Sequence, residues 1–203
     1  MTDCSAPPAS KYDLIFRAAV EEFQENGFAD ARMDRVSARA EVSKRTVYKY
    51  FESKENLFRS IIDAFAARFS GVQDIRYDPA RPLREQLVEL AWAEGRLLIA
   101  ADVIAMARMI ISETLRNPEL AEEANSKIDK TGVFAAMLRA ASEDGKMSIS
   151  DPEDAAVEFI GLIKSKAFWP VIFGAPVVTA AQMDKIVETS VDMMMSRYGT
   201  GPS

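Results

Sequence analysis

The stretch Met33-Asp-Arg-Val-Ser-Ala-Arg-Ala-Glu-Val-Ser-Lys-Arg-Thr-Val-Tyr-Lys-Tyr-Phe-Glu-Ser-Lys-Glu-Asn-Leu-Phe58 holds two short helical patterns either side of a tight turn. Val36 and Ala40 share one face of a first short helix, and Glu41-Val42 makes the turn. Ser43 is a suitable N-cap for a second short helix over Lys44 to Tyr50. Val42, Val47 and Phe51 point inward and hold that helix to its neighbours. Ser53 then caps a longer helix, where Leu57, Phe58, Ile61, Ile62, Phe65 and Phe69 keep helical spacing. A helix, a tight turn and a second helix bearing outward bases is the helix-turn-helix arrangement. Arg45, Tyr48 and Lys49 stand at i, i+3 and i+4 and so share one exposed strip, flanked by Lys44 and Thr46. Such a strip can serve both base edges and phosphates.

The charge distribution agrees. The 203-residue chain carries a net charge of −6, which argues against a non-specific nucleic-acid binder. The local field is what matters, however. Residues 31–50 set Arg32, Arg35, Arg39, Lys44, Arg45 and Lys49 against only Asp34 and Glu41, whereas residues 1–30 are acidic. Histidine is absent, which excludes His-based acid/base and nucleophilic catalysis and the common imidazole metal sites. The single cysteine, Cys4, can form neither an internal disulfide nor a thiolate cage. No cofactor and no metal site are expected. The N-terminus lacks the basic and apolar regions of a signal peptide. The longest uncharged run, Ala167 to Met183, contains Pro170, Gly174 and Pro176 and is too short for a span. These readings predict a cytoplasmic protein with no membrane partner.

Outward from the central stretch the pattern stays helical. Residues 1–10 read as a disordered tail. Lys11 to Asn26 is an amphipathic helix through Ile15, Ala19 and Phe23, with Gly27 as its stop. Gly71 to Arg81 reads as a loop. Further helices are expected from Pro82 to about Ile99, over Asp102 to Arg116, from Asn117-Pro118 to about Ser142, and from Asp151-Pro152 to near Trp169-Pro170. The capping box Thr179–Gln182 opens the last, which runs to Tyr198 with Gly199 as its stop. The expectation is an all-α chain of about nine helices. A helix-turn-helix DNA-binding domain takes residues 11–53, and a larger helical ligand-binding and dimerisation domain takes 54–203.

The same central stretch closely resembles the DNA-binding domain of TetR-family (TetR/AcrR) regulators. Val36, Ala40, Val42, Ser43, Thr46, Tyr48, Tyr50, Phe51, Lys54, Glu55 and Leu57 stand at matching positions, and Phe23 and Gly27-Phe28 match the family's first helix. Ile111 to Leu120 loosely resembles the AefR-like C-terminal branch. Two positions depart from the pattern. Glu41 stands where the family often has Gly, a substitution that suits a backbone outside left-handed space. Arg32 stands where the family favours a capping Thr, so the cap must come from elsewhere, with Asp30 as the candidate.

The resemblance implies a ligand-responsive transcriptional regulator, a repressor released from its operator by a small hydrophobic inducer. Candidate DNA contacts are Arg32, Ser43, Lys44, Arg45, Thr46, Tyr48, Lys49 and Lys54. Arg45 and Lys49 would read bases, and Lys44, Tyr48 and Lys54 would bind phosphates. One such helix contacts few bases, so a homodimer on a near-palindromic site is expected, its half-sites about one helical turn (~34–36 Å) apart. The last two helices are apolar more than halfway round. Ala156, Phe159, Ile160, Ile163 and Ala167 on one, and Ile186, Val187, Val191 and Met194 on the other, are the candidate interface. Phe65, Phe69, Trp92, Met106, Met109, Phe134, Met137, Leu138 and Phe168 are the candidate lining of an effector cavity, with Arg108 as an anchor for a carboxylate or a surface residue. Two other readings stay open: a DNA-bound scaffold without a small-molecule response, and an all-helical enzyme using paired carboxylates such as Glu94 and Glu113.

Overall fold

The computed structural model describes residues 10–69 and 75–200. The expected tail, apart from its last residue Ser10, and residues 71–74 of the expected loop lie outside the described residues. Eleven helices are present among the described residues: α1 (Lys11–Asp30), α2 (Met33–Arg39), α3 (Lys44–Phe51), α4 (Lys54–Ala67), α5 (Leu83–Leu98), α6 (Ala101–Thr114), α7 (Pro118–Ile128), α8 (Thr131–Glu143), α9 (Pro152–Ala167), α10 (Trp169–Ile172) and α11 (Ala180–Tyr198). The all-α expectation holds. The two additional helices have local causes. Asp129 Oδ1 accepts the Thr131 N–H at 2.9 Å and the Thr131 hydroxyl at 2.6 Å, and this side-chain turn breaks the helix expected from Pro118 to Ser142 into α7 and α8. After Ala167 the backbone bends, and the single turn α10 carries Pro170 in its first turn.

The caps follow the sequence. Ser10 and Asp13 form a capping box at the start of α1, and Thr179 and Gln182 form one at α11. Asp151 caps α9 with Pro152 just inside it. Asn117 Oδ1 accepts the Leu120 N–H at 3.2 Å at the start of α7. Gly27 interrupts α1 at φ +71, a left-handed conformation that glycine adopts at no steric cost.

The chain divides into two compact units. The first takes residues up to Ala64 together with Met109–Ala124; the second takes Phe65–Arg108 together with Asn125 onward. The first three turns of α4, expected in the C-terminal domain, therefore belong to the first unit. In that unit Phe23, Phe28 and Phe58 form an aromatic triad with centroid separations of 5.7, 5.5 and 5.1 Å. Ile15, Val36 and Val47 are buried in the same unit.

The second unit is built on one apolar cluster drawn from α5, α8, α9 and α11. It absorbs most of two expected sites. Of the candidate interface, Ala156, Phe159, Ile163, Ala167, Val187, Val191 and Met194 are at most 1% exposed, and Ile186 is buried as well. The expectation is corrected: this stripe of α9 and α11 is the core of its own chain, because helical spacing turns the α9 part toward α8, α5 and α11 and the α11 part toward α5 and α9. Only Ile160 is half-buried at the edge. Of the candidate pocket lining, Phe134, Met137 and Leu138 are packed in this cluster, with Phe134 5.7 Å from Phe159. Trp92 and Phe168 are half-buried against it. Phe65 and Phe69 pack on each other at 5.2 Å, Met106 is buried, and Met109 falls in the first unit. Arg108 is engaged, its guanidinium donating to the Val171 carbonyl.

Candidate nucleic-acid interface

Helix α3 is anchored from below and exposed above. Val47 is 0% and Phe51 5% exposed, and Val42 in the turn is half-buried. Ser43 Oγ accepts the Thr46 N–H at 3.2 Å and lies 2.9 Å from Thr46 Oγ1. The cap thus ties the half-buried Thr46 hydroxyl to the helix start. Arg45, Tyr48 and Lys49 are exposed together, Tyr48 to 48%. At the far end of the helix Tyr12 packs 5.1 Å from Phe51 and 6.4 Å from Tyr50, joining the start of α1 to the end of α3.

The turn between α2 and α3 is a complete helix-ending motif. The Glu41 N–H donates to the Ala38 carbonyl at 3.2 Å and the Val42 N–H to the Ser37 carbonyl at 3.1 Å, the paired bonds of a Schellman turn. Glu41 sits at φ +52. The condition set for a non-glycine residue here, a backbone outside left-handed space, is not met: the motif requires the left-handed conformation, and Glu41 adopts it.

The start of α2 also differs from expectation. Arg32 is the N-cap residue, and no side chain caps the helix, Asp30 included. Instead the Arg32 N–H donates to Glu22 Oε1 at 3.2 Å. Glu22 on α1 is fully buried and also accepts from Arg35 Nε at 2.5 Å, with Arg39 Nε 3.4 Å from its other oxygen. Arg39 further pairs with Glu25 and lies 3.6 Å from Glu21. Its hydrogen bond holds the Glu25 carboxyl below the usual range and pushes the Arg39 guanidinium up. Glu22 was not among the expected site residues. The signal lay in its position, three residues beyond Ala19 and seven beyond Ile15, where a carboxylate on the apolar stripe requires a buried partner.

These pairs divide the cations. Arg35 and Arg39 are bound to α1, and Lys44 Nζ is 2.6 Å from Asp34. Among the described residues of α2 and α3, Arg32, Arg45 and Lys49 make no ion pair. Lys54 is committed elsewhere: its ammonium donates to the carbonyls of Phe28 at 2.7 Å, Ala29 at 3.1 Å and Ala31 at 3.4 Å. These bonds use its three N–H donors, so Lys54 fastens α4 to the end of α1.

Elsewhere, Glu94 is buried on α5, with Lys164 Nζ 3.2 Å from its carboxylate. Among the described residues no group of three or more His, Cys, Asp or Glu could hold a metal ion. No helix there is long and apolar enough to cross a membrane.

Comparison with known proteins places this geometry. Residues 15–61 match the bacterial regulatory proteins of the tetR family, and residues 85–200 match the C-terminal domain of AefR-like transcriptional repressors. The HTH-type transcriptional repressor NicS of Pseudomonas putida is 39% identical over 84 residues, a match spanning 39% of this chain and 39% of NicS, less than two thirds of its length. A TetR family transcriptional regulator from Pseudomonas syringae pv. tomato has a similar structure, with a TM-score of 0.82 and 37% identity over 96% of this chain and 100% of that one. The flavonoid-responsive regulator FrrA superposes with a TM-score of 0.76 and 27% identity, covering 95% of this chain and 98% of that one. With an N-terminal helix-turn-helix and an AefR-like C-terminal domain, the chain belongs to the TetR family of bacterial regulatory proteins.

Proposed function

We propose that the protein is a transcriptional repressor that binds operator DNA as a homodimer and leaves it when a small hydrophobic effector binds. The observation that carries the reading is the unpaired strip of Arg45, Tyr48 and Lys49 on a helix whose other face is buried, with Arg32 exposed at the start of α2. Arg45 and Lys49 read base edges in the major groove, Thr46 and Ser43 serve base or phosphate, and Tyr48 and Arg32 contact phosphates.

The dimer face moves outward from the packed stripe. Met193, 51% exposed, lines a groove of about 560 Å³ between α9 and α11 with Gly161, Leu162 and Met194 among others, and Val157 on α9 is 57% exposed. A second copy covers these residues, with Ile160 at the edge. The name of FrrA, flavonoid-responsive, supports a planar aromatic effector, and the half-buried Trp92 and Phe168 are the candidate contacts. The second unit, Phe65–Arg108 with Asn125 onward, carries effector binding and dimerisation.

The test is a gel shift on the region upstream of the protein's own gene, titrated with salt. Arg45→Ala is expected to lose roughly 1–3 kcal/mol and to relax preference at one base pair per half-site. Unchanged operator affinity in Arg45→Ala/Tyr48→Phe sinks the assignment. A DNA complex unaffected by every hydrophobic compound that stabilises the protein favours the scaffold reading.

A further inference from the structure

We infer that Asp34 is an internal counter-ion that holds Lys44 off the DNA and so sets how tightly the helix-turn-helix grips any sequence. The inference rests on the DNA-binding reading above. Lys44 is the first residue of α3, at the positive end of the helix dipole, where a cation is disfavoured and a carboxylate is welcome. The first turn of α3 carries no acidic residue. Asp34, in the first turn of α2, supplies the missing carboxylate from the neighbouring helix, 2.6 Å from Lys44 Nζ. Both side chains are about three-fifths exposed, 58% and 62%, so phosphate has access to the same ammonium and competes with Asp34 for it. The arrangement is not isolated. Buried Glu22 and exposed Glu25 and Glu21 occupy Arg35 and Arg39, so three of the six cations in residues 31–50 already have carboxylate partners before DNA arrives.

Phosphate contacts carry no sequence information, and each adds a slope of about −0.9 to the dependence of log K on log salt. A carboxylate that withholds one cation therefore lowers affinity for operator and random duplex by the same factor. It leaves base preference untouched. The consequence is regulatory: effector coupling in such proteins is worth about 5–150-fold, and an operator complex weakened within that range is one that an effector can clear.

The experiment measures operator and random-sequence duplex binding across a salt series for the full chain and three variants. Asp34→Asn is expected to tighten both duplexes by about two- to fivefold, the size of an exposed ion pair. Its salt dependence should steepen by about 0.9 as Lys44 gains a phosphate. Lys44→Gln is expected to weaken both duplexes by no more than about fivefold, through the Asp34 carboxylate it leaves uncovered, with the salt slope unchanged because no phosphate contact is lost. In Asp34→Asn/Lys44→Gln the gain from Asp34→Asn should largely vanish. Thermal unfolding confirms that each variant is folded, and Lys44→Gln tests the inference independently if Asp34→Asn is not. An undiminished gain in the double variant, or a Lys44→Gln that loses a full phosphate contact, overturns the counter-ion role while the DNA-binding reading stands. A wild-type chain with no salt-dependent duplex binding overturns both.

Discussion

The ammonium of Lys54 lies 4.4 Å over the ring of Phe28 and donates to the carbonyl of that same residue. One side chain thereby satisfies the carbonyls left open where α1 breaks at Gly27 and caps an aromatic face. Lys54→Met should cost about 1–3 kcal/mol, visible as a Tm lower by several degrees. The salt dependence of DNA binding should stay as in the wild type. A flattened salt slope with unchanged Tm would return Lys54 to the phosphate-binding set.

Glu41 occupies a left-handed turn position, which costs a residue with a Cβ roughly 1–2 kcal/mol. Glycine removes that strain at an entropic cost of about 0.5–1 kcal/mol. Glu41→Gly is therefore expected to stabilise the first unit slightly, by up to about 1 kcal/mol, as read by the urea midpoint. A destabilised variant would mean that the Glu41 side chain contributes more than its backbone strain removes.

Gly199 ends α11 in extended backbone, and a Cβ there would come within 2.5 Å of the Met195 carbonyl oxygen. Around it the Ser148 N–H donates to the Tyr198 carbonyl at 2.7 Å and the Thr200 N–H to the Lys146 carbonyl at 3.3 Å. Gly199→Ala should shift this segment at a cost of about 1–3 kcal/mol. Hydrogen exchange at Ser148 and Thr200 should speed up with it. Unchanged exchange at both amides would contradict the close approach.

Burial, reinforced by a 2.7 Å bond to Asp144, pushes the Tyr77 phenol up to about 12 from 10.0. The folded state thus holds its proton more tightly than the unfolded chain. This stabilisation is complete below pH 10 and is lost as pH rises toward 12. Alkaline unfolding of Tyr77→Phe should accordingly be less steep over that window than in the wild type. The phenolate absorbance of the folded variant should lack one late-titrating group. Parallel unfolding curves would refute the shift.

What was legible in the sequence was local. Capping at Thr179 and Asp151, the α2–turn–α3 pattern and the exposed strip on α3 all follow from short-range spacing and side-chain chemistry, and they stand in the structure. The pairing of charges was not legible. Nothing local to Arg39 says that Glu25, fourteen residues earlier, holds it, nor that Lys54 reaches back to Phe28. The stripe on α9 and α11 failed for a related reason. Helical periodicity marks an apolar face, and only the packing of α5 and α8 decides whether that face meets its own chain or another.

The first unit is discontinuous along the chain, since Met109–Ala124 completes it. Leu120 and Asn117 line a small cleft with Phe28 and Phe58, and Arg59 Nε reaches Glu123 at 2.8 Å. During synthesis the residues up to Ala64 leave the ribosome first, and the segment that closes their apolar side follows about sixty residues later. At about 5–20 residues per second, the nascent head waits roughly 3–12 s, uncovered and open to chaperones or to other chains. A head exchanged between relatives by a single cut after α4 would meet a foreign Met109–Ala124, and it keeps the Arg59–Glu123 pair and the Leu120 contact only if that segment is moved with it.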